Sequence, residues 1–479
     1  MNIKALAKDT AIYGLSSIVG RFLNYLLVPL YTYKIAAGSG GYGIVTNLYA
    51  YSALVLCLLT FGMETTFFRF SGKEGNNSRK VYSTALFMVG GVSLVFLAIV
   101  LCCLKPISAA MGYATHPEYI ACFALICSMD AVQAIMFSRL RQSRRPVRFM
   151  VLKMTFIVLN IAMNLFIFLV MPNIGSMNAV YERFDNGVGL IFFANLLCTF
   201  IVGLLFAPEH KALSAGFDTG LAKQMLKYSF PLLLLSLVGI LNQVADKILF
   251  PYLMPGHEGQ VQLGIYGACV KLAMIMALIT QAFRYAYEPI VFGGKEKSRE
   301  DTLTAGMKCF VLFSLLAWLA VMIYMPVLRH FIQPGYWEGL KVVPIVMMAE
   351  IFMGIYFNLS FWYKLNDKTW WGALLSLIGA SVMIILNIVF VPRYGYIACA
   401  WAGFAGYGSA MIASYLLGQK YYPMHYDLRR MALFAALIFA CYAIYHFAEG
   451  KMSIAATLAI GTVLVLCCTY LCFREVRRG

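Results

Sequence analysis

Several ionisable and amide side chains interrupt runs of otherwise apolar sequence, and helical spacing gathers them onto single faces. Tyr13, Ser17, Arg21 and Asn24 follow one another at steps of four, four and three, which makes one polar stripe. Asn242 and Asp246 share a face, with Lys247 beside them, and Lys271 falls at similar depth in the next apolar run. Gln281, Arg284 and Glu288 form another stripe, as do Lys153, Asn160 and Asn164. Asp130 stands with Gln133, Glu350 with Gly354 and Asn358, and Glu64 near the end of its run.

An ionisable group in hydrocarbon costs about 2.5–17 kcal/mol, so such residues face a partner or a polar cavity. Arg21, with Ser17 and Asn24, and the cations Lys271 and Arg284 are therefore candidates for holding an anionic group, since guanidinium pairs with phosphate in two-point fashion. Asp130, Asp246, Glu350, Glu288 and Glu64 are candidate coupling or cavity carboxylates, for H+ or Na+. Each has a structural alternative. Arg21 could pair with a carboxylate of another helix, Asp246 with a lysine that ties two helices together, and Arg284 with Glu288 one turn away. Asp130 and Glu350 could be protonated, hydrogen-bonded carboxyls. Lys153 and Lys308 lie near span ends, where snorkelling is the simpler reading. Trp337, Trp370 and Trp371 read as an interfacial belt.

The elements that carry these residues must be membrane helices. Of 479 residues, 61% are hydrophobic and only 12% charged, against roughly 45–50% and about 25% in soluble domains. About fourteen runs reach the length of roughly 20 residues that a spanning helix needs: 10–34, 43–68, 80–104, 118–138, 149–171, 188–207, 224–253, 263–290, 302–325, 341–363, 369–391, 396–418, 429–447 and 452–473. The N-terminal run reads as a retained first span. The net charge of +17 sits in short connecting segments, where it sets topology and does not bind nucleic acid. With the N-terminus inside, Arg139, Arg141, Arg144, Arg145 and Arg148 all fall in one inner segment. Outer segments hold isolated cations: Lys34, Lys105, Arg183, Arg329, Lys341, Arg393 and Lys451. Both termini are then cytoplasmic. The basic stretch Arg139 to Arg148 is most simply a topology signal touching anionic lipid, and secondarily an attractor of a pyrophosphate.

The 13 cysteines lie mostly in apolar runs, with no metal-ligand spacing, so no metal and no cofactor are expected. No Walker-type phosphate loop appears, nor any soluble catalytic segment.

An internal repeat is also legible. Tyr42-Gly43 and Glu64 recur as Tyr266-Gly267 and Glu288; Asn164 recurs as Asn387, and Asp130 as Glu350, each about 220 residues apart. An all-α polytopic protein is expected, with two parallel six-helix bundles around a central cavity, 1–210 and 211–420, and two additional helices over 421–479.

The order Tyr228-Ser-Phe-Pro231, Asn242, Ala245-Asp246-Lys247, Gly264-Ile-Tyr266-Gly267, Lys271-Leu-Ala273, Ala282-Phe-Arg284, Glu288-Pro289, Tyr363-Lys364, Lys368-Thr369, Leu386-Asn387 and Val391-Pro-Arg-Tyr-Gly395 resembles the polysaccharide/O-antigen flippase branch of the multidrug/oligosaccharidyl-lipid/polysaccharide exporter superfamily. The resemblance runs over the whole chain. It implies a bacterial inner-membrane protein that moves an undecaprenyl-pyrophosphate-linked oligosaccharide from the inner to the outer leaflet by alternating access. Such transport is driven by membrane potential or a cation gradient and serves lipopolysaccharide assembly, with membrane lipids and a glycan polymerase or assembly proteins as neighbours. A multidrug/cation antiporter of the same superfamily is the alternative, and a membrane-embedded glycan transferase or polymerase a more distant one.

Overall fold

The computed structural model describes residues 19–20, 22–23, 25–73, 75, 77–210, 215–293, 299–366, 368, 370–449 and 451–477. Among these there are helices and no strand. Among the described residues, thirteen helices are long and apolar enough to cross a membrane, and they match the second to fourteenth expected spans in order. The first expected span, 10–34, lies largely outside the described residues; its far end is the helix α1, Leu27–Lys34. The protein is a multi-pass membrane protein. Lipid-facing surface explains why side chains such as Leu94, Val95, Leu204 and Phe447 stand exposed, because no water-driven burial is required of them.

Two compact units divide the chain, Met1–Gly264 and Ile265–Gly479. In the first, α2 (Gly41–Thr60) is continued by α3 (Met63–Ser71). Phe61 and Gly62, both with positive φ, break the helix there. A Cβ on Gly62 would meet Leu232 Cβ at 3.0 Å and the Ser229 carbonyl at 3.2 Å. Next come α4 (Ser78–Cys102), α5 (Pro117–Gln142), α6 (Pro146–Leu165), α7 (Val188–Leu205) and α8 (Thr219–Leu253). Proline at the first turn of α5 and of α6 sits where its missing N–H costs nothing. Asp218 caps α8 by accepting the Leu221 N–H; that bond, with Lys80 at 3.1 Å, holds its carboxyl below the usual carboxylate range.

The expected bundles 1–210 and 211–420 are a division by repeat, whereas packing puts α8 in the first unit. The reason is a seam between α2 and α8. Asn47 donates to the Lys247 carbonyl at 2.8 Å and accepts from Tyr113, and Tyr51 donates to the Tyr252 hydroxyl at 2.8 Å. Beyond it, Gly43 lets the chain around Gln260 and Gly264 approach its backbone; a Cβ on Gly43 would collide with the Gln260 carbonyl oxygen.

The second unit holds the rest of α9 (His257–Gly293), then α10 (Arg299–Ile323), α11 (Val343–Leu359), α12 (Trp370–Tyr394), α13 (Tyr396–Tyr421), α14 (Leu428–Glu449) and α15 (Ile454–Arg477). Gly395 turns α12 into α13 at φ 58°, ψ −144°, a conformation essentially reserved for glycine. The two C-terminal helices pack on α10: Trp318 meets Phe439 and Tyr442 edge-on, Tyr445 donates to the Ile323 carbonyl, and Lys308 donates to the Glu475 carbonyl at 3.1 Å. Lys308 is thus anchored within the protein, where snorkelling had been the simpler expectation.

Gly43→Ala should lower stability by about 1–3 kcal/mol, the usual cost of overpacking, whereas Gly403→Ala, with no atom within 4 Å of its added Cβ, should change little. Thermal melting of both variants in one detergent checks this; equal melting temperatures would remove the close approach as a determinant of the fold.

Candidate functional site

Polar groups collect at distinct places in each unit. In the first, α5, α7 and α2 share a chain of hydrogen bonds. Thr199 donates to Asp130 or to Asn195, each at 3.4 Å, and Asn195 donates to the Tyr49 hydroxyl at 3.0 Å. Gln133 donates to the Thr199 carbonyl at 2.8 Å. Lys153 lies close enough to Asp130 and Glu64 for their charges to interact, and its ammonium sits 4.2 Å from the Phe137 ring centroid. Asn195 and Thr199 escaped the sequence reading, although their spacing of four on an apolar helix is the signal that finds them.

Glu64, at the end of the kinked span, accepts from Arg141 at 2.8 Å and from Ser138 at 3.1 Å. Arg148 grips Glu209 with two bonds of 2.7 and 2.9 Å, and the Glu209 side chain is only 3% exposed. Asp246 is buried and pairs with its neighbour Lys247 at 2.9 Å, an ion pair within one helix. Asn164 accepts from Tyr31 and donates to the Asn160 carbonyl. That interaction makes the Lys153–Asn160–Asn164 stripe partly structural.

In the second unit, Arg284 and Lys364 lie against one ring. The Arg284 guanidinium is 4.6 Å from the Phe357 centroid and the Lys364 ammonium 4.4 Å from it. Arg284 also pairs with Glu288 at 3.2 Å, and both charges act on Lys364. The ring attracts two cations that would otherwise repel, and the Glu288 carboxylate acts on both. Around the cluster, Phe283, Tyr287, Phe310 and Phe361 stack edge-on or tilted. Phe357 was indistinguishable in the sequence from any apolar residue, and only its position shows its part. Lys271 and Glu350 are half-buried on α9 and α11. Ser17, Arg21 and Asn24 lie outside the described residues. Among the described residues, no group of His, Cys, Asp or Glu is arranged to hold a metal ion.

Residues matched by the repeat share single contacts, each within its own unit. Asn164 and Asn387 each donate to the carbonyl four residues earlier. Glu64 and Glu288 each pair with an arginine that lies over a phenylalanine, Phe68 and Phe357.

Replacing Arg148 by Ala leaves Glu209 buried without its cation and should cost about 3 kcal/mol. An Arg148→Met, Glu209→Leu double variant should recover most of that loss in the same unfolding titration. A double variant as unstable as the single one would show that the pair is not what matters there.

The sequence matches no protein-family model and no curated protein. Solved structures resemble it closely in fold. A lipid II flippase, MurJ, in an inward closed conformation aligns with a TM-score of 0.73 at 15% identity, over 98% of this chain and 99% of its own. An inward-facing multidrug resistance MATE family transporter of the MOP superfamily gives 0.65 at 14%, over 86% and 97%. The MATE multidrug transporter DinF-BH gives 0.58 at 17%, over 86% and 95%. The helices, their order and their packing are those of the multidrug/oligosaccharidyl-lipid/polysaccharide exporter fold.

Proposed function

We propose that the protein is a flippase for an undecaprenyl-pyrophosphate-linked oligosaccharide, carrying it from the inner to the outer leaflet of a bacterial inner membrane by alternating access. The observation that carries this reading is the cation cluster on Phe357. Arg284 and Lys364 outnumber the one carboxylate, Glu288, that answers them. A pyrophosphate carries the complementary charge, and hydrogen bonds between ionised partners of this kind are stronger than neutral ones. Arg21, with Ser17 and Asn24, would add a second set of donors. Likeness to a lipid II flippase over nearly the whole chain also supports a lipid-linked substrate, whereas the multidrug transporters align over less of it. Membrane potential or an H+ or Na+ gradient would drive the cycle, and a glycan polymerase would receive the product.

A second reading, a multidrug/cation antiporter, rests on Asp130. Its carboxylate, with the oxygens of Thr199, Asn195 and Tyr49 near it, is the group that would take a cation. In the flippase reading the same group would take the coupling ion.

Complementation of a bacterial strain that lacks its glycan flippase, run beside drug-resistance tests, distinguishes the two. Restored surface glycan without resistance is expected. Arg21→Ala should abolish export with normal abundance in the membrane. Arg284→Gln with Lys364→Gln should lower it at least about tenfold, the effect of losing about 1.4 kcal/mol of binding. Full export by both variants would overturn the anion-binding role, and resistance without glycan would favour the antiporter.

A further inference from the structure

Five arginines lie in and around the turn from α5 to α6, and three of them are committed to the protein. Arg139 lies over the Tyr82 ring at 4.3 Å, Arg141 binds Glu64, and Arg148 binds Glu209. Arg144 and Arg145 are exposed and make no ion pair among the described residues. Both line a groove of about 620 Å³, together with Arg148 and the apolar residues Pro146, Val147, Val151, Leu152 and Leu205. Val147 and Val151 are 59% and 51% exposed along it.

The backbone here is informative. Arg145 N–H donates to the Leu140 carbonyl and Arg144 N–H to the Arg141 carbonyl, the paired bonds that close a helix when the residue between adopts the left-handed conformation. That residue is Arg144, at φ 53°, where glycine would be the favoured choice. A topology signal works from any position in the segment. Nothing about it requires an arginine at the one place where arginine is disfavoured, directly above an apolar groove.

We infer that this groove binds an anionic phospholipid of the adjacent leaflet, with its phosphate between Arg144 and Arg145 and an acyl chain along Val147, Val151 and Leu205. Charge and shape both select this occupant. A soluble phosphate would use the two guanidinium groups but not the valine wall, and a neutral phospholipid would use the wall but gain little from the cations. The site lies within the first unit, and it stands whether or not the transported molecule is a lipid-linked glycan.

Native mass spectrometry of the full-length protein, released from mixed phosphatidylglycerol and phosphatidylcholine bilayers, tests this. Retained phosphatidylglycerol should fall about fivefold for each arginine removed in Arg144→Gly and Arg144→Gly/Arg145→Gln, matching the usual attraction of one basic residue to an anionic surface. Retained phosphatidylcholine should not change. Arg144→Gly relieves the left-handed strain, so its melting temperature should hold or rise, and lost lipid cannot then be ascribed to unfolding. Val147→Gln/Val151→Gln should also release phosphatidylglycerol while leaving binding of added inorganic pyrophosphate unaltered. Undiminished phosphatidylglycerol in the double arginine variant would overturn the inference. Pyrophosphate displacing the lipid as effectively from wild type as from the valine variant would instead assign the site to a soluble anion.

Discussion

Hydrocarbon offers no hydrogen bonds, so the polar groups of a membrane span must be answered from within the protein. Much of this structure follows from that constraint. Asn47 is 1% exposed and is fully answered, by a backbone carbonyl of α8 on one side and Tyr113 on the other. The same bonds fix where α2 lies on α8, and the absence of a side chain at Gly43 lets the chain around Gln260 and Gly264 come close beyond them. Polar satisfaction and close packing are therefore one feature of that seam, and they keep α8 with the first unit.

A cheaper solution recurs at other asparagines. Asn164, Asn242, Asn358 and Asn387 each donate to the carbonyl four residues earlier on their own helix. This bond needs no partner helix, so an asparagine inside an apolar run is weak evidence for a cavity. It leaves the amide oxygen to be answered. Tyr31 answers that of Asn164, while the amide oxygens of Asn358 and Asn387 are buried without a partner. Polarity that remains unanswered is more informative than polarity as such, and it occurs in both units, at Tyr82 and Ser93 in the first as at Asn358 and Asn387 in the second.

The spans were legible because hydrophobic length and loop charge are local properties that need no geometry. The repeat was read from like residues at one offset, but the partners of Glu64 and Glu288 do not follow that offset: Arg141 stands on another helix, Arg284 one turn back on the same helix. Partnership was not legible. Arg141 and Glu64 are far apart in sequence, and nothing in either neighbourhood names the other. Lys364 was read only as part of a family pattern, and Phe357 not at all, since a ring that holds two cations has the same spelling as one that fills a core. Asn195 and Thr199 were within reach, but a short polar stripe on a very apolar helix is easily passed over.

Arginine makes the point in its most general form. Counting arginines predicts which side of the membrane a segment occupies, and the count treats them as equivalent. In the structure they are not equivalent. Arg148 is bound by a buried carboxylate, and its loss is a loss of stability. Arg284 pairs with Glu288 and lies against the same ring as Lys364, two cations to one carboxylate. Arg144 holds a backbone conformation that suits it poorly, beside a groove that suits a lipid. What distinguishes them is how much of each charge the protein already neutralises, and the remainder is what a substrate, an ion or a lipid can use.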